Sequence, residues 1–289
     1  MLTLRWRAMM AGPVLTDQQL SDYTELGFLH SLPILSGAEV NYYRAELDRT
    51  CEAIGGRVPR FNGLHLFFQW ALDLSTHPRL LDCLEQLMGP NILLTSTRFL
   101  YKHGQTTSYV GWHQDGVTQR LNDGRAPAIW LGLTAATAEN GCLRVIPRSH
   151  QHGMLPHDSA PDLFRLPEYE KSFENWPQND LSGRIAQVPP NYDPPFDIEM
   201  RAGEMSIHHP LMLHGSNPNQ STEPRIGFSA SYTIPELWNN NTRPIVWARR
   251  NGSPAHNHFR IDRPPNTNFE EAVAAYCADE RQTIYARSE

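Results

Sequence analysis

The sequence predicts a mainly β protein with flanking helices, built on a double-stranded β-helix, the jelly-roll or cupin-like core. Three observations carry that expectation. Helix start and stop signals fill the stretch before residue 90, and from Asn91 onward the chain changes to short strands separated by turn residues. The third observation is a pair of His-bearing strands, Gly111-Trp112-His113-Gln114-Asp115-Gly116 and His208-His209-Pro210-Leu211-Met212-Leu213-His214-Gly215-Ser216. They lie about a hundred residues apart, and a jelly roll is a fold that sets early and late strands side by side.

Each element has its own signal. Thr16-Asp17-Gln18-Gln19 is a capping box that opens a helix carrying Leu20, Tyr23 and Leu26, with Gly27 as its stop. Ser36-Gly37-Ala38-Glu39 is a second capping box, starting a helix with Val40, Tyr43, Leu47 and Ile54 on one face and Gly55-Gly56 at its end. Pro78 suits the first turn of a third helix bearing Leu80, Leu81, Leu84 and Leu87, stopped by Gly89-Pro90. Strands are expected from Ile92 to Tyr101, Val110 to Gly116, Ala126 to Ala136 and Cys142 to Ile146. The last two are read as a hairpin closed at Glu139-Asn140-Gly141. Residues 151–195 are rich in Pro and His without periodicity, the texture of a lid. Strands resume at Phe196 to Met200, Glu204 to His209, Leu211 to Ser216 and Arg225 to Tyr232, and a last helix is expected around Phe269 to Tyr285. Helices followed by strands suggest a single domain over 1–289. It would have a helical part at about 15–90, a core at about 91–235 with the lid inserted at 151–195, and a tail at 236–289.

Composition narrows the function. A formal charge of -6 argues against a nucleic-acid partner, which calls for a basic stripe. Hydrophobic content of 40% is ample for a core. Cys51, Cys83, Cys142 and Cys277 stand far apart and form no CxxC pair, so they read as reduced thiols rather than a zinc site. No apolar run is long enough to cross a membrane, and the basic opening residues lack the apolar core and small-residue site of a signal peptide. The expectation is a cytoplasmic protein acting on a small molecule, without nucleic-acid or membrane partners; the sequence fixes no oligomeric state.

The chemistry comes from the two His-bearing stretches. Alternation along a strand puts His113 and Asp115 on one face, with Trp112 and Gln114 on the other. His214 can supply a third ligand. Two His and one carboxylate on a triangular face leave the opposite positions open, which suits non-haem Fe(II). Ser216 shares the face of His214, and Arg225 opens the next strand with a guanidinium suited to a carboxylate. A metal with open positions beside an Arg–Ser clamp is what a 2-oxo diacid requires. A His-x-Asp triplet alone is weak, and the combination carries the weight. His208 and His209 are adjacent, so at most one of them faces inward, and both read as structural. His150, His152 and His157 read as a solvated loop. Arg98 sits on the strand face opposite Tyr101, either meeting an anionic group of the substrate or lying at a surface edge.

At these residues the chain resembles the phytanoyl-CoA dioxygenase family of Fe(II)- and 2-oxoglutarate-dependent oxygenases, which includes ectoine hydroxylase. The resemblance is carried by Trp112 to Asp115, Trp130, Asn140 to Leu143, Ile146 to His150, His209 to Ser216, Asn219 and Arg225, with Tyr23 to Phe28 fitting the family's opening helix. It implies a jelly-roll core with Fe(II) on His113, Asp115 and His214, and 2-oxoglutarate held by Arg225 and Ser216. It also sets Trp130 against the co-substrate pocket, a role weighed equally with that of an ordinary core Trp. Family halogenases carry Gly or Ala at the carboxylate position, and Asp115 argues against halogenation here. The resemblance implies a dioxygenase consuming O2 and releasing succinate and CO2, most simply by hydroxylating an unactivated C–H in secondary or specialised metabolism. Desaturation, epoxidation, cyclisation and epimerisation use the same cofactors and stay open, as do a non-catalytic jelly-roll binder and a zinc hydrolase.

Overall fold

The structure is a computed structural model describing residues 14–56, 60–119, 123–159, 184–238, 245–249 and 268–279. Both N-terminal capping boxes form. In helix α1 (Asp17–Leu26) the Thr16 hydroxyl accepts from Gln19 N, and Gly27 ends it in the left-handed conformation. In α2 (Gly37–Ala53) Ser36 and Glu39 cap each other, and Val40, Tyr43 and Leu47 are buried. A shorter helix, α3 (Gln69–Ser75), precedes α4 (Pro78–Met88), which has Pro in its first turn as expected.

The expected all-helical N-terminal part is corrected in one respect. Strand β1 (Phe28–Pro33) follows α1, and β2 (Arg60–Asn62) precedes α3. A bulge between Leu29 and Leu32 breaks the alternation of β1, which hides it from a pattern reading.

Next along the chain are β3 (Ile92–Lys102), β4 (Val110–His113), a single helical turn α5 (Gly116–Gln119), β5 (Ala128–Gly132) and β6 (Leu143–Val145). They are followed by β7 (His157–Ser159), β8 (Arg184–Ala186), β9 (Phe196–Ile198) and β10 (Glu204–His208), then β11 (His214–Ser216), β12 (Arg225–Thr233), β13 (Val246–Arg249) and helix α6 (Phe269–Ala278). The large sheet runs β1-β10-β5-β12-β3-β13, with β2 also on β3. The small sheet runs β4-β11-β6-β9, and β7 pairs with β8 within the expected lid.

The expected β5–β6 hairpin does not form: β5 belongs to the large sheet and β6 to the small one. The Asn-Gly turn closes locally instead. Asn140 Oδ1 accepts from Thr137 N at 2.8 Å and Cys142 N donates to Thr137 O at 2.9 Å, so the chain changes sheets there. Two further strands are shorter than expected. Val110 to Gly116 ends at His113, and Leu211 to Ser216 keeps only its last three residues.

Alternation along β12 divides the interior. Ile226, Phe228, Ala230 and Tyr232 join the apolar layer under the helices, with Leu64, Phe68, Leu74 and Leu84. The opposite face of the large sheet presents Trp130 and Leu100 to the small sheet, meeting Leu143, Val145, Ile198 and Met212. The two-sheet core with helices on one side is the mainly β jelly-roll arrangement the sequence predicts. Among the described residues, no helix is long and apolar enough to cross a membrane.

Candidate metal centre and co-substrate pocket

His113 ends β4 and His214 begins β11, and antiparallel pairing sets the two directly opposite each other. Gly215 permits that approach, since a Cβ there would lie 2.7 Å from the Val110 carbonyl. Asp115 is not on the strand, contrary to the alternation argument. It sits in the turn between β4 and α5, and the turn rather than the pleat brings it back to His113. Gln114 fixes that turn. It is buried, donates to the carbonyls of Gly153 and Leu211 and accepts from Leu155 N, while Gly116 N donates to Pro210 O. The backbone N of Gln114 donates to His157 Nε2 at 3.1 Å, so His157 braces the centre rather than lying in a solvated loop.

The ligand atoms of His113, Asp115 and His214 all lie within 4.8 Å of one another. His113 Nε2 is 3.9 Å from Asp115 Oδ1, and His214 Nε2 is 3.9 Å from Asp115 Oδ2. Each imidazole places Nδ1 on a backbone carbonyl, His113 on Gly111 O at 2.9 Å and His214 on Met212 O at 3.0 Å. A carbonyl only accepts, so Nδ1 carries the proton and Nε2 presents its lone pair to the space beside Asp115. Burial, with His113 next in effect, holds the His214 imidazole well below its usual range and therefore neutral. Burial pushes the Asp115 carboxyl up, but His214, the adjacent His208 and His113 outweigh it and hold the group well below the usual carboxylate range. Two imidazoles and one carboxylate form a donor set that fits Fe(II).

The second half of the site lies where β3 and β12 meet β11. Arg225 and Lys102 face each other across the β12–β3 ladder, and both are 3% exposed, so two basic side chains share one dry pocket. Lys102 Nζ donates to Ser216 Oγ at 2.7 Å and to the Asn217 carbonyl. Arg225 donates to Gly141 O at 2.6 Å, lies 5.2 Å from the Trp130 ring centroid, and leaves its buried Nε without a partner. Among the described residues no carboxylate pairs with either cation. Burial, then the nearby Arg225 charge, lowers Lys102 to about 6, and burial lowers Arg225 to about 10. A buried guanidinium without a counter-charge, beside a Lys that an anion would re-protonate, suits this pocket to an anion. Trp130 fits beside them because position 227 is Gly, where a Cβ would fall 2.2 Å from the indole.

The structure thus gathers His113, Asp115 and His214 at one point, with Ser216, Arg225 and Trp130 in the adjoining pocket. Arg98 shares the inner face of β3 with Leu100 and Lys102, opposite Ser229 of β12 and Asn62 of β2. It is half-buried and lacks an acidic partner among the described residues. Two inward residues escape the sequence reading. Lys102 ends an otherwise ordinary strand, and only the β3–β12 register places it opposite Arg225. His208 is 3% exposed with Nε2 3.5 Å from Asp115 Oδ2, so it is the member of the His208–His209 pair that faces the centre.

The sequence profile of phytanoyl-CoA dioxygenase matches residues 23–227, a span containing all of these groups. The chain belongs to the phytanoyl-CoA dioxygenase family. It is therefore a member of a family of Fe(II)/2-oxoglutarate-dependent dioxygenases, and His113, Asp115 and His214 form the expected His-x-Asp…His constellation. Peroxisomal phytanoyl-CoA dioxygenase of Rattus norvegicus is 26% identical over 244 residues, spanning 76% of this chain and 68% of the rat protein. Ectoine dioxygenase of Nocardia farcinica is 29% identical over 174 residues, 53% of this chain and 58% of that protein. Among solved structures, the apo form of the non-heme monooxygenase ThoJ superposes with a TM-score of 0.72 at 27% identity, covering 93% of this chain and 98% of ThoJ. The family carries a recurrent site on this fold, while substrate choice lies with the residues around it.

Proposed function

We propose that this protein is an Fe(II)- and 2-oxoglutarate-dependent dioxygenase that hydroxylates an unactivated C–H of a small molecule in specialised metabolism. One observation carries the reading: a three-donor face with both Nδ1 atoms on backbone carbonyls adjoins a dry pocket that holds Arg225 and Lys102 with no carboxylate partner among the described residues. The first suits a metal with open positions, and the second suits the far carboxylate of a diacid.

In this reading His113, Asp115 and His214 hold Fe(II). Arg225 grips the distal carboxylate of 2-oxoglutarate, Lys102 and Ser216 add donors, and Trp130 walls the pocket. Bound iron supplies the centre at which 2-oxoglutarate and O2 react. One oxygen atom enters the substrate, and the other ends in succinate as CO2 leaves. The chain's own part is to fix the donors, exclude water from the diacid pocket and hold the target carbon in place. Arg98 is assigned to the substrate. Ser229 is the one residue of β12 that is not fully buried, and it lies directly across from the half-buried Arg98. A guanidinium there selects a substrate with a carboxylate or phosphate. We further assign the described residues to one domain and the cytoplasm as the compartment; most of the expected lid, at 160–183, and much of the expected tail, at 239–244, 250–267 and 280–289, lie outside the described residues.

The test is anaerobic addition of Fe(II) and 2-oxoglutarate, followed by air and a panel of anionic and neutral small molecules. A visible charge-transfer band and substrate-stimulated succinate support the assignment, and product masses separate a gain of oxygen from desaturation, cyclisation or epimerisation. A band without succinate in any combination favours a binding protein. No band, with hydrolysis supported by Zn2+, favours the zinc enzyme.

A further inference from the structure

Four groups converge on the Asp115 carboxylate side of the centre, and the oxygenase reading uses only three of them. The fourth, His208, ends β10 and pairs with Ala128 of β5 and Phe28 of β1, so its ring projects from the large sheet toward a centre built mainly by the small one. It is 3% exposed, with its ring centroid 4.6 Å from that of His214. Its Nε2 lies 3.5 Å from Asp115 Oδ2, and no other polar atom of the described residues engages either ring nitrogen. The next residue turns away: His209 Nδ1 accepts from Leu211 N at 3.0 Å. A buried imidazole with unmet nitrogens is costly, so this ring has a use for one of them.

We infer that His208 is a positioning residue for the metal centre, donating Nε2–H to Oδ2 of Asp115. Asp115 sits in a turn rather than on a strand, so the pleat does not fix its carboxylate. A donor from the opposite sheet supplies that restraint and settles which oxygen faces His113 and His214. Outer partners of this kind orient ligands and strengthen metal binding. His208 is not a fourth ligand, because only His113, Asp115 and His214 among the described residues bring donor atoms within 4.8 Å of one another. A fourth protein ligand would also occupy a position the co-substrate needs.

The experiment is an anaerobic Co(II) titration of the full-length protein, read by visible absorption, with Fe(II) competition. His208→Gln, His208→Asn and His208→Phe are compared with the unaltered chain, and each fold is checked by thermal melting. The Gln amide nitrogen reaches the place of Nε2 and the Asn nitrogen does not. His208→Phe and His208→Asn should weaken Co(II) about 10- to 100-fold, while His208→Gln stays within about threefold, all with unchanged band positions. If Phe proves too disruptive to fold, the Gln and Asn pair decides, since both bury one amide at the same place. Equal affinities for those two overturn the inference, as does a shift of the Co(II) bands that signals loss of an imidazole ligand. Failure of the unaltered chain to bind Co(II) or Fe(II) sinks the metal site itself, a separate outcome.

Discussion

Replacing Lys102 with Met should stabilise the free protein while removing its tight grip on 2-oxoglutarate. Burial lowers the Lys102 ammonium from 10.5 to about 6, so near pH 7.5 the folded chain holds it neutral and the unfolded chain holds it charged. The unfolded state then binds one more proton, and stability rises with pH between about 6 and 10.5 and is least below that window. Releasing the proton at about pH 7.5 costs three pKa units, roughly 4 kcal/mol. Met keeps the apolar stem without that cost, but it forfeits the hydrogen bonds to Ser216 and Asn217, each worth about 1 kcal/mol. A net gain of about 1–2 kcal/mol remains, or a Tm rise of roughly 2–3 °C. Binding should move the other way. A charge-assisted hydrogen bond is worth about 1.5–3 kcal/mol, so Kd for 2-oxoglutarate should rise roughly 10- to 100-fold. Calorimetry in buffers of different ionisation enthalpy adds a sharper test. An arriving dianion re-protonates Lys102, so the unaltered protein should take up close to one proton per 2-oxoglutarate and the Met variant none. A variant that melts lower, binds equally well and shows the same proton uptake would refute the assignment.

His113→Ala, Asp115→Ala and His214→Ala should each abolish turnover and the anaerobic charge-transfer band, and retention of the band in any of them would remove that residue from the ligand set. Arg225→Ala should raise the apparent Michaelis constant for 2-oxoglutarate by about 100-fold with a smaller loss in kcat; an unchanged constant would count against its role. Arg98→Gln should raise the Michaelis constant for an anionic substrate while leaving the 2-oxoglutarate Kd alone, and an equal effect on both would place Arg98 in the co-substrate pocket instead.

The three metal donors were legible because their spacing is chemical: His113-x-Asp115 and His214 are residue types with few other reasons to recur in that setting. The strand argument for Asp115 reached the right residue through the wrong geometry, since β4 stops at His113 and a turn held by Gln114 completes the approach. Lys102 and His208 were not legible, because each earns its place through a cross-strand neighbour set by long-range register. The β5–β6 hairpin failed for a related reason. Asn140-Gly141 signals a tight turn, but a turn signal does not say which sheet the next strand joins. Strand β1 was lost to its bulge at Leu29–Leu32, where alternation is interrupted.

The division of labour between the sheets has a physical logic. The small sheet holds His113 and His214 on adjoining strands, while the large sheet holds Arg225 and Lys102 on another adjoining pair. Ser216 belongs to the first and is bonded to the second through Lys102, so the two half-sites meet at β11. When an arriving anion re-protonates Lys102, two dry cations stand side by side and tend to splay the strands that carry them. The outer face of β3 and β12 opposes that tendency, with Phe99 and Phe228 5.0 Å apart and the Trp70 ring of α3 tilted against Phe99 at 5.2 Å. The helical layer is thus part of the binding site at one remove: packing on one face of the sheet holds in place a charge pair that becomes favourable only when an anion arrives on the other.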